Sequence, residues 1–216
     1  TTHSYNTSNR LFINPQVTAE LKYLNIFPTC EINKIVSKET QKKIFRFETY
    51  LSIDNPVSAN KSGILGLLDE YSAYQTGTTF GLQAAEKLFF EGKIDEAEIQ
   101  YQKACASYFA NYEFSLFIAW YLEYAKQYKP EIYKETMANK SVRLAFTLNE
   151  KMFNNTILKL KSLATKNSKF TSDLEYYEKE YAEYTKSLLE KHSKTIDGFR
   201  IQGVDLENYS AYQNKK

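Results

Sequence analysis

From Gly63 to about Ile196, apolar side chains recur every three or four residues, which is the spacing of one face of an α-helix. Glycine and proline form turns and end helices, and the 216-residue chain contains only 7 and 4 of them. A β-sandwich with many hairpins needs more such residues. The sequence therefore predicts a mainly α fold, and its length is sufficient for a single helical domain.

The helix boundaries follow from local signals. Thr76 and Gly77 predict the end of the first helix, Gly92 and Lys93 a tight turn, and Pro130 the first position of a later helix. Thr171 or Ser172 is the expected N-cap of the last long helix, which we expect to end near Lys194. The predicted helices span residues 63–75, 79–91, 95–111, 114–128, 131–138, 141–164 and 171–194.

The first 60 residues have a different composition and hold three of the four prolines. Apolar and polar residues alternate from Phe45 to Ile53, which predicts one half-buried strand with a partner strand at 10–13 or 21–27. A helix running on from Ser37 as N-cap is the alternative. The predicted organisation is a flexible leader (1–9), an N-terminal segment with short strands that form a small β element (10–62), a helical domain (63–197) and a tail (198–216).

Residues 78–111 carry a spaced pattern of small and large residues around a central glycine. The pattern consists of Ala85, Leu88, Gly92, Ala97, Tyr101 and Ala104. It resembles a tetratricopeptide repeat, a helical hairpin of about 34 residues. The resemblance implies that Ala85 and Ala97 face each other and that the hairpin presents a groove to a protein or peptide.

A second, degraded copy of the tetratricopeptide pattern follows the first. It contains Phe117, Trp120 and Tyr124, a turn at 129–131, and then Tyr133 and Met137. Stacked repeats need about three units to be stable, so we expect one helical domain that contains a tetratricopeptide-like hairpin rather than a solenoid.

Candidate catalytic residues are scarce. The chain has two histidines, His3 and His192, which excludes metal clusters built on several histidines. No glycine-rich phosphate loop, nucleophile elbow or Cys-x-x-Cys occurs. His192 lies near the predicted end of a helix, where we expect a structural role. We predict no catalytic residue, cofactor or metal; an unfamiliar type of enzyme would need a deep pocket with perturbed carboxylates.

Charge and cysteine content limit the classes of partner. The net charge is +2 and only four residues are arginine, so we do not expect nucleic-acid binding. The acidic groups 69–70, 95–98 and 175–183 are interpreted as solvated helix faces. Cys30 and Cys105 either form one disulfide or remain two free thiols, and the sequence leaves both open.

Aromatic residues are in excess, with 18 tyrosines. Helical spacing places one set on inward faces: Tyr71, Tyr101, Tyr108, Tyr177, Tyr181 and Tyr184. A second set lies around a helix with more apolar surface than one core is expected to use: Tyr112, Trp120, Tyr121, Tyr124 and Tyr128. We predict that Trp120, Tyr121 and Tyr124 bind a protein or peptide partner.

The N-terminal residues suggest where in the cell the protein is located. Residues 1–9 are polar and uncharged, as after removal of a signal segment, and residues 12–17 resemble the start of bacterial envelope lipoproteins. That resemblance implies a cell-envelope or periplasmic protein, with the membrane reached only through an N-terminal lipid anchor. No apolar run approaches the roughly 20 residues that span a bilayer.

The sequence therefore predicts a non-enzymatic protein–protein interaction or scaffold module, an accessory component of a bacterial envelope assembly. A structural or small-ligand-binding envelope lipoprotein and a cytoplasmic tetratricopeptide-like adaptor are the alternatives.

Overall fold

The computed structural model describes residues 10–14, 17–20, 24–53 and 58–204. These residues form a mainly helical domain around one continuous hydrophobic core, which extends from Leu24 to Phe199. The predicted leader (1–9) and residues 205–216 of the predicted tail lie outside the described residues.

A long helical hairpin forms the centre of the fold. Helix α4 (Gly63–Phe90) has 28 residues and α5 (Ile94–Tyr128) has 35. Gly92 makes the predicted turn between them with a φ of +78°, a conformation that favours glycine. The two helices approach closely at Gly81, where an added Cβ would lie 3.3 Å from the Cβ of Ala104.

Both central helices are longer than the sequence predicts. The expected breaks at 76–78 and 112–113 are wrong, because α4 and α5 run through them. Tertiary packing outweighs the local helix-breaking signals here, because Thr78 and Asn111 lie in the buried interior. The Asn111 side chain accepts a hydrogen bond from the Tyr71 hydroxyl, so its polar group is satisfied inside the core. Ala85 and Ala97 are fully buried; the tetratricopeptide likeness itself stays a prediction.

The remaining long helices pack around this hairpin. Helix α6 (Pro130–Ala138) begins at the predicted proline, and α7 (Lys140–Ala164) begins after Asn139, whose side chain accepts a hydrogen bond from the Val142 amide. Helix α7 packs against α4, and the later helices pack against α5. The predicted boundaries of α6 (131–138) and α7 (141–164) are confirmed to within one residue at each end.

The predicted last helix is divided into several pieces. Helix α8 (Ser168–Tyr177) begins after Asn167, and not after Thr171 or Ser172, because the Asn167 side chain accepts from the Lys169 amide. A π-helix (Glu178–Ala182) follows, then α9 (Glu183–Lys191) and α10 (Ser193–Phe199).

The N-terminal segment contains a hairpin of two strands, β1 (Arg10–Asn14) and β2 (Val17–Glu20). They pair antiparallel, with Arg10 opposite Glu20, and lie against α4 and α7. The expected small β element is therefore present, and its first strand coincides with the predicted partner strand at 10–13. The strand that pairs with β1 is β2, and not the predicted strand from Phe45 to Ile53.

The strand predicted from Phe45 to Ile53 is wrong. The structure has a 3₁₀ helix (Thr29–Lys34), α1 (Lys38–Lys43), α2 (Phe47–Leu51) and α3 (Ser58–Lys61) in this region. Phe47, Tyr50 and Leu51 are buried at helical spacing, whereas Phe45 and Ile53 are exposed. Ser37 caps α1 by accepting from the Thr40 amide, as the alternative interpretation supposed, but Ile44 is extended and separates α1 from α2.

Candidate functional site

The three residues predicted to bind a partner are all buried. Trp120, Tyr121 and Tyr124 are 5%, 0% and 4% exposed. The N-terminal segment covers them: the ring of Phe27 stacks on Tyr121 at a centroid distance of 4.0 Å, and the Tyr124 hydroxyl donates to Glu31 Oε2 at 2.9 Å. The structure places these rings in the interior of the described domain.

The expectation that one core could not use so much apolar surface is therefore corrected. Helix α5 is covered by the N-terminal segment as well as by α4 and the later helices, so aromatic rings on several of its faces are enclosed. A role of Trp120, Tyr121 and Tyr124 in binding stays a prediction, and the contacts give them a packing role.

A different group of aromatic rings lies at the surface. We define the aromatic surface as Phe45, Tyr176, Tyr177, Tyr181 and Tyr184. Phe45 is 66% exposed and meets the edge of Tyr181 at a centroid distance of 5.2 Å. Tyr181 stacks on Tyr177 at 5.5 Å, and Tyr177 meets the edge of Tyr176, which is 55% exposed. Sequence-distant elements thus join into one chain of rings.

Sequence spacing places Tyr177, Tyr181 and Tyr184 on an inward face, together with Tyr71, Tyr101 and Tyr108. The last three are buried as predicted, but the first three are only partly buried. The π-helix lies at the point of difference: the Glu183 amide donates to the Glu178 carbonyl, five residues back. One extra residue in a turn rotates the following side chains by about 100° relative to a regular α-helix. A pattern search that assumes 3.6 residues per turn cannot detect this rotation.

Helix α1 contacts the aromatic surface at Tyr184. The Tyr184 hydroxyl donates to Thr40 Oγ1 at 3.4 Å, and Lys43 Nζ lies 5.1 Å from the centre of the Tyr184 ring. These contacts connect α9 to α1. The Tyr184 ring is therefore held in place by contacts within the domain.

Carboxylates and lysines surround these rings. Glu175, Glu180 and Glu183 are exposed and have no ion-pair partner among the described residues. Lys186 is paired with Glu178 at 2.5 Å and lies over the Tyr112 ring. The surface thus offers apolar ring faces with polar groups at the margin, which is the usual anatomy of a protein interface.

Carboxylates elsewhere are not all solvated. Asp69 is buried, and Glu70 Oε2 accepts from the Tyr50 hydroxyl at 3.0 Å, so the interpretation of residues 69–70 as a solvated face is wrong. Between residues 10 and 204, no group of three or more His, Cys, Asp or Glu in the described ranges has the arrangement of a metal site. Cys30 and Cys105 are free thiols.

The helices differ from membrane-spanning segments. Among those that the structure describes, none combines the length and the apolar character needed to cross a bilayer.

Comparison with known proteins gives no relative. No family model matches the chain, and no curated protein or solved structure shows significant similarity to it.

Proposed function

We propose that this protein is a non-enzymatic helical scaffold that binds a protein or peptide partner through the aromatic surface. The observation that carries the proposal is the contact of the exposed Phe45 ring with the partly buried Tyr181 ring, which continues through Tyr177 to the exposed Tyr176 ring. Contiguous exposed apolar groups on a soluble domain mark interaction sites. Tyrosine is also enriched among the residues that dominate binding energies.

The rigidity of the site supports the same proposal. Phe45 lies between α1 and α2, next to Arg46, which is buried and paired with Glu113 of α5. Tyr177, at the N-cap of the π-helix, and Tyr181, within it, form a stacked pair. Such π-helical turns occur frequently at functional sites. A rigid aromatic surface binds with less loss of side-chain entropy than a mobile one.

Site-specific photo-crosslinking in cells of the source organism tests the proposal, because it captures a partner whose identity is unknown. A benzophenone side chain replaces Phe45 in one variant and Phe80 in the control. Phe80 is an exposed phenylalanine of α4, outside the aromatic surface. We expect a discrete crosslinked protein from position 45 and none from position 80. No adduct at position 45, or the same adducts at both positions, would contradict the proposal.

Affinity measurements with the crosslinked partner then test the individual rings. Phe45→Ala and Tyr176→Ala should each weaken binding by about tenfold or more, as substitutions at interface hot spots do. The matched controls are Phe80→Ala and Tyr128→Ala, which replace exposed rings elsewhere. Equal affinity of all four variants, with unchanged thermal stability, would exclude the aromatic surface as the binding site.

Location in a bacterial envelope and the tetratricopeptide likeness stay predictions from the sequence. The proposed function does not depend on either of them, because it rests on the contacts of described residues.

A further inference from the structure

The only tryptophan of the chain forms a hydrogen bond with a histidine. The Trp120 indole Nε1–H donates to His192 Nε2 at 3.1 Å. On the other side of the imidazole ring, His192 Nδ1 lies 2.8 Å from Glu123 Oε1. The Thr195 hydroxyl donates to the same carboxylate oxygen at 2.8 Å. This cluster joins α5 to the junction of α9 and α10, where His192 is the residue between the two helices.

The donor groups around His192 determine the protonation state of its imidazole ring. An indole N–H can only donate, so His192 Nε2 must carry a free lone pair. The imidazole is then neutral with its proton on Nδ1, and this proton is donated to Glu123. The Glu123 carboxylate accepts from both His192 and Thr195, and hydrogen bonds to a carboxylate favour its charged form. The carboxylate is therefore in the charged form that accepts both bonds.

A second proton on His192 is incompatible with the indole contact. The imidazolium would place an Nε2–H against the indole N–H at 3.1 Å, with no lone pair between them. Trp120 is buried, and a buried donor without an acceptor is unfavourable. The ion pair with Glu123 favours the protonated ring, but it does not restore an acceptor for Trp120.

Apart from Glu123, the charged groups near the ring are exposed. From α5, the charged groups are Glu123 and the exposed Lys126, which helps to lower the pKa of Glu123. Around His192 itself, the chain carries Glu190, Lys191 and Lys194, all of which are exposed. Helix α2 meets the cluster through the Phe47 ring, 6.4 Å from the Trp120 ring.

We propose that His192 is a pH-sensitive latch. In its neutral form it fastens the junction of α9 and α10 to α5 through Trp120, and protonation releases Trp120 from this bond. The latch is closed while His192 Nε2 is unprotonated and accepts from Trp120, and it opens when that nitrogen takes up a proton. It is independent of the proposed binding function.

The indole N–H resonance tests the latch directly. Because the chain has one tryptophan, a ¹⁵N-labelled sample gives a single indole cross-peak. As the pH is lowered, we expect this peak to move upfield in its proton dimension with one inflection, since the N–H loses its acceptor when His192 Nε2 is protonated. The far-UV circular dichroism should stay constant, which separates the local change from unfolding.

Two variants assign the transition to one histidine. His192→Gln should abolish the pH-dependent shift, whereas His3→Gln, which removes the other histidine, should keep it. A constant indole peak in the wild-type protein, or a transition that persists in His192→Gln, would overturn the proposal. If His192→Gln does not fold, the wild-type histidine resonances decide: the indole shift and the His192 Cε1–H shift must have the same midpoint, and different midpoints overturn the latch.

Discussion

Arg46 and Glu113, 67 positions apart in the chain, form a buried ion pair in which Nη1 lies 2.7 Å from Oε2. Arg46 also donates from Nη2 to the Ala106 carbonyl at 3.1 Å, and its guanidinium lies 4.9 Å from the centre of the Tyr74 ring. Burial opposes the charged guanidinium, but Glu113 outweighs burial and raises the pKa of Arg46. The pair fastens the connection between α1 and α2 to α5, and so positions the neighbouring Phe45.

Removing one partner of this pair should be strongly destabilising. Glu113→Gln leaves the guanidinium without its counter-charge in the interior, which typically reduces the free energy of unfolding by about 3–5 kcal/mol. Urea denaturation measures the loss. The control is Glu131→Gln, at an exposed pair with Lys134, where we expect no measurable change. Similar stability of both variants would show that the buried pair is not formed in solution.

Trp120 should contribute to stability because it is buried. We expect Trp120→Ala to lower the free energy of unfolding by about 3–5 kcal/mol, through lost apolar contacts and the cavity left behind. Tyr128→Ala, at an exposed ring on the same helix, should change it by less than about 0.5 kcal/mol. If Trp120→Ala instead weakened partner binding and left the stability unchanged, the sequence-based assignment of Trp120 to a binding surface would be correct.

The turn between α4 and α5 should require glycine. Gly92 has a φ of +78°, where a side chain is disfavoured by about 1–2 kcal/mol, so Gly92→Ala should lower the melting temperature. Gly198→Ala is the matched control, because Gly198 lies within α10 and an added Cβ would meet no atom within 4 Å. Alanine favours helices, so this control should leave stability unchanged or raise it slightly. A decrease of equal size in both variants would contradict the assigned turn geometry.

The two thiols should differ in reactivity. Burial raises the pKa of Cys105 to about 12, while Cys30 is partly exposed. Since the thiolate is the reactive form, Cys105 should react far more slowly than Cys30 at about pH 8. A disulfide reagent such as DTNB should therefore label one thiol per native chain, and both in urea. In Cys30→Ser the labelling of the native protein should disappear; rapid labelling of that variant would show that Cys105 is accessible.

Local sequence signals predict the helix ends that a single proline or glycine sets. Pro130 at the start of α6 and the Gly92 turn both act within a few residues. Longer-range effects account for the errors. Thr76 and Gly77 indicate a helix end, yet α4 continues because it packs along α5 and α7. The alternation from Phe45 to Ile53 suggests a strand, but α2 buries Phe47, Tyr50 and Leu51.

The aromatic surface is the part of the molecule that the sequence predicts least well. Residue spacing assigns Phe45 to a strand face, and Tyr177, Tyr181 and Tyr184 to the core. Their contacts join the connection between α1 and α2 to the C-terminal helices, and a π-helix interrupts the regular spacing between Tyr177 and Tyr184. Neither feature produces a periodic signal in the sequence.

The sequence by itself determined the helical character of the chain, its central turn and the abundance of aromatic rings, because backbone preference and apolar spacing act locally. Only the tertiary structure decided which rings are inside. Tyr121 is fully buried because Phe27, 94 positions earlier, stacks on it, whereas Phe45 stays exposed because no described element covers it. Burial depends on what lies against a residue, and that partner is chosen by the packing of the whole chain.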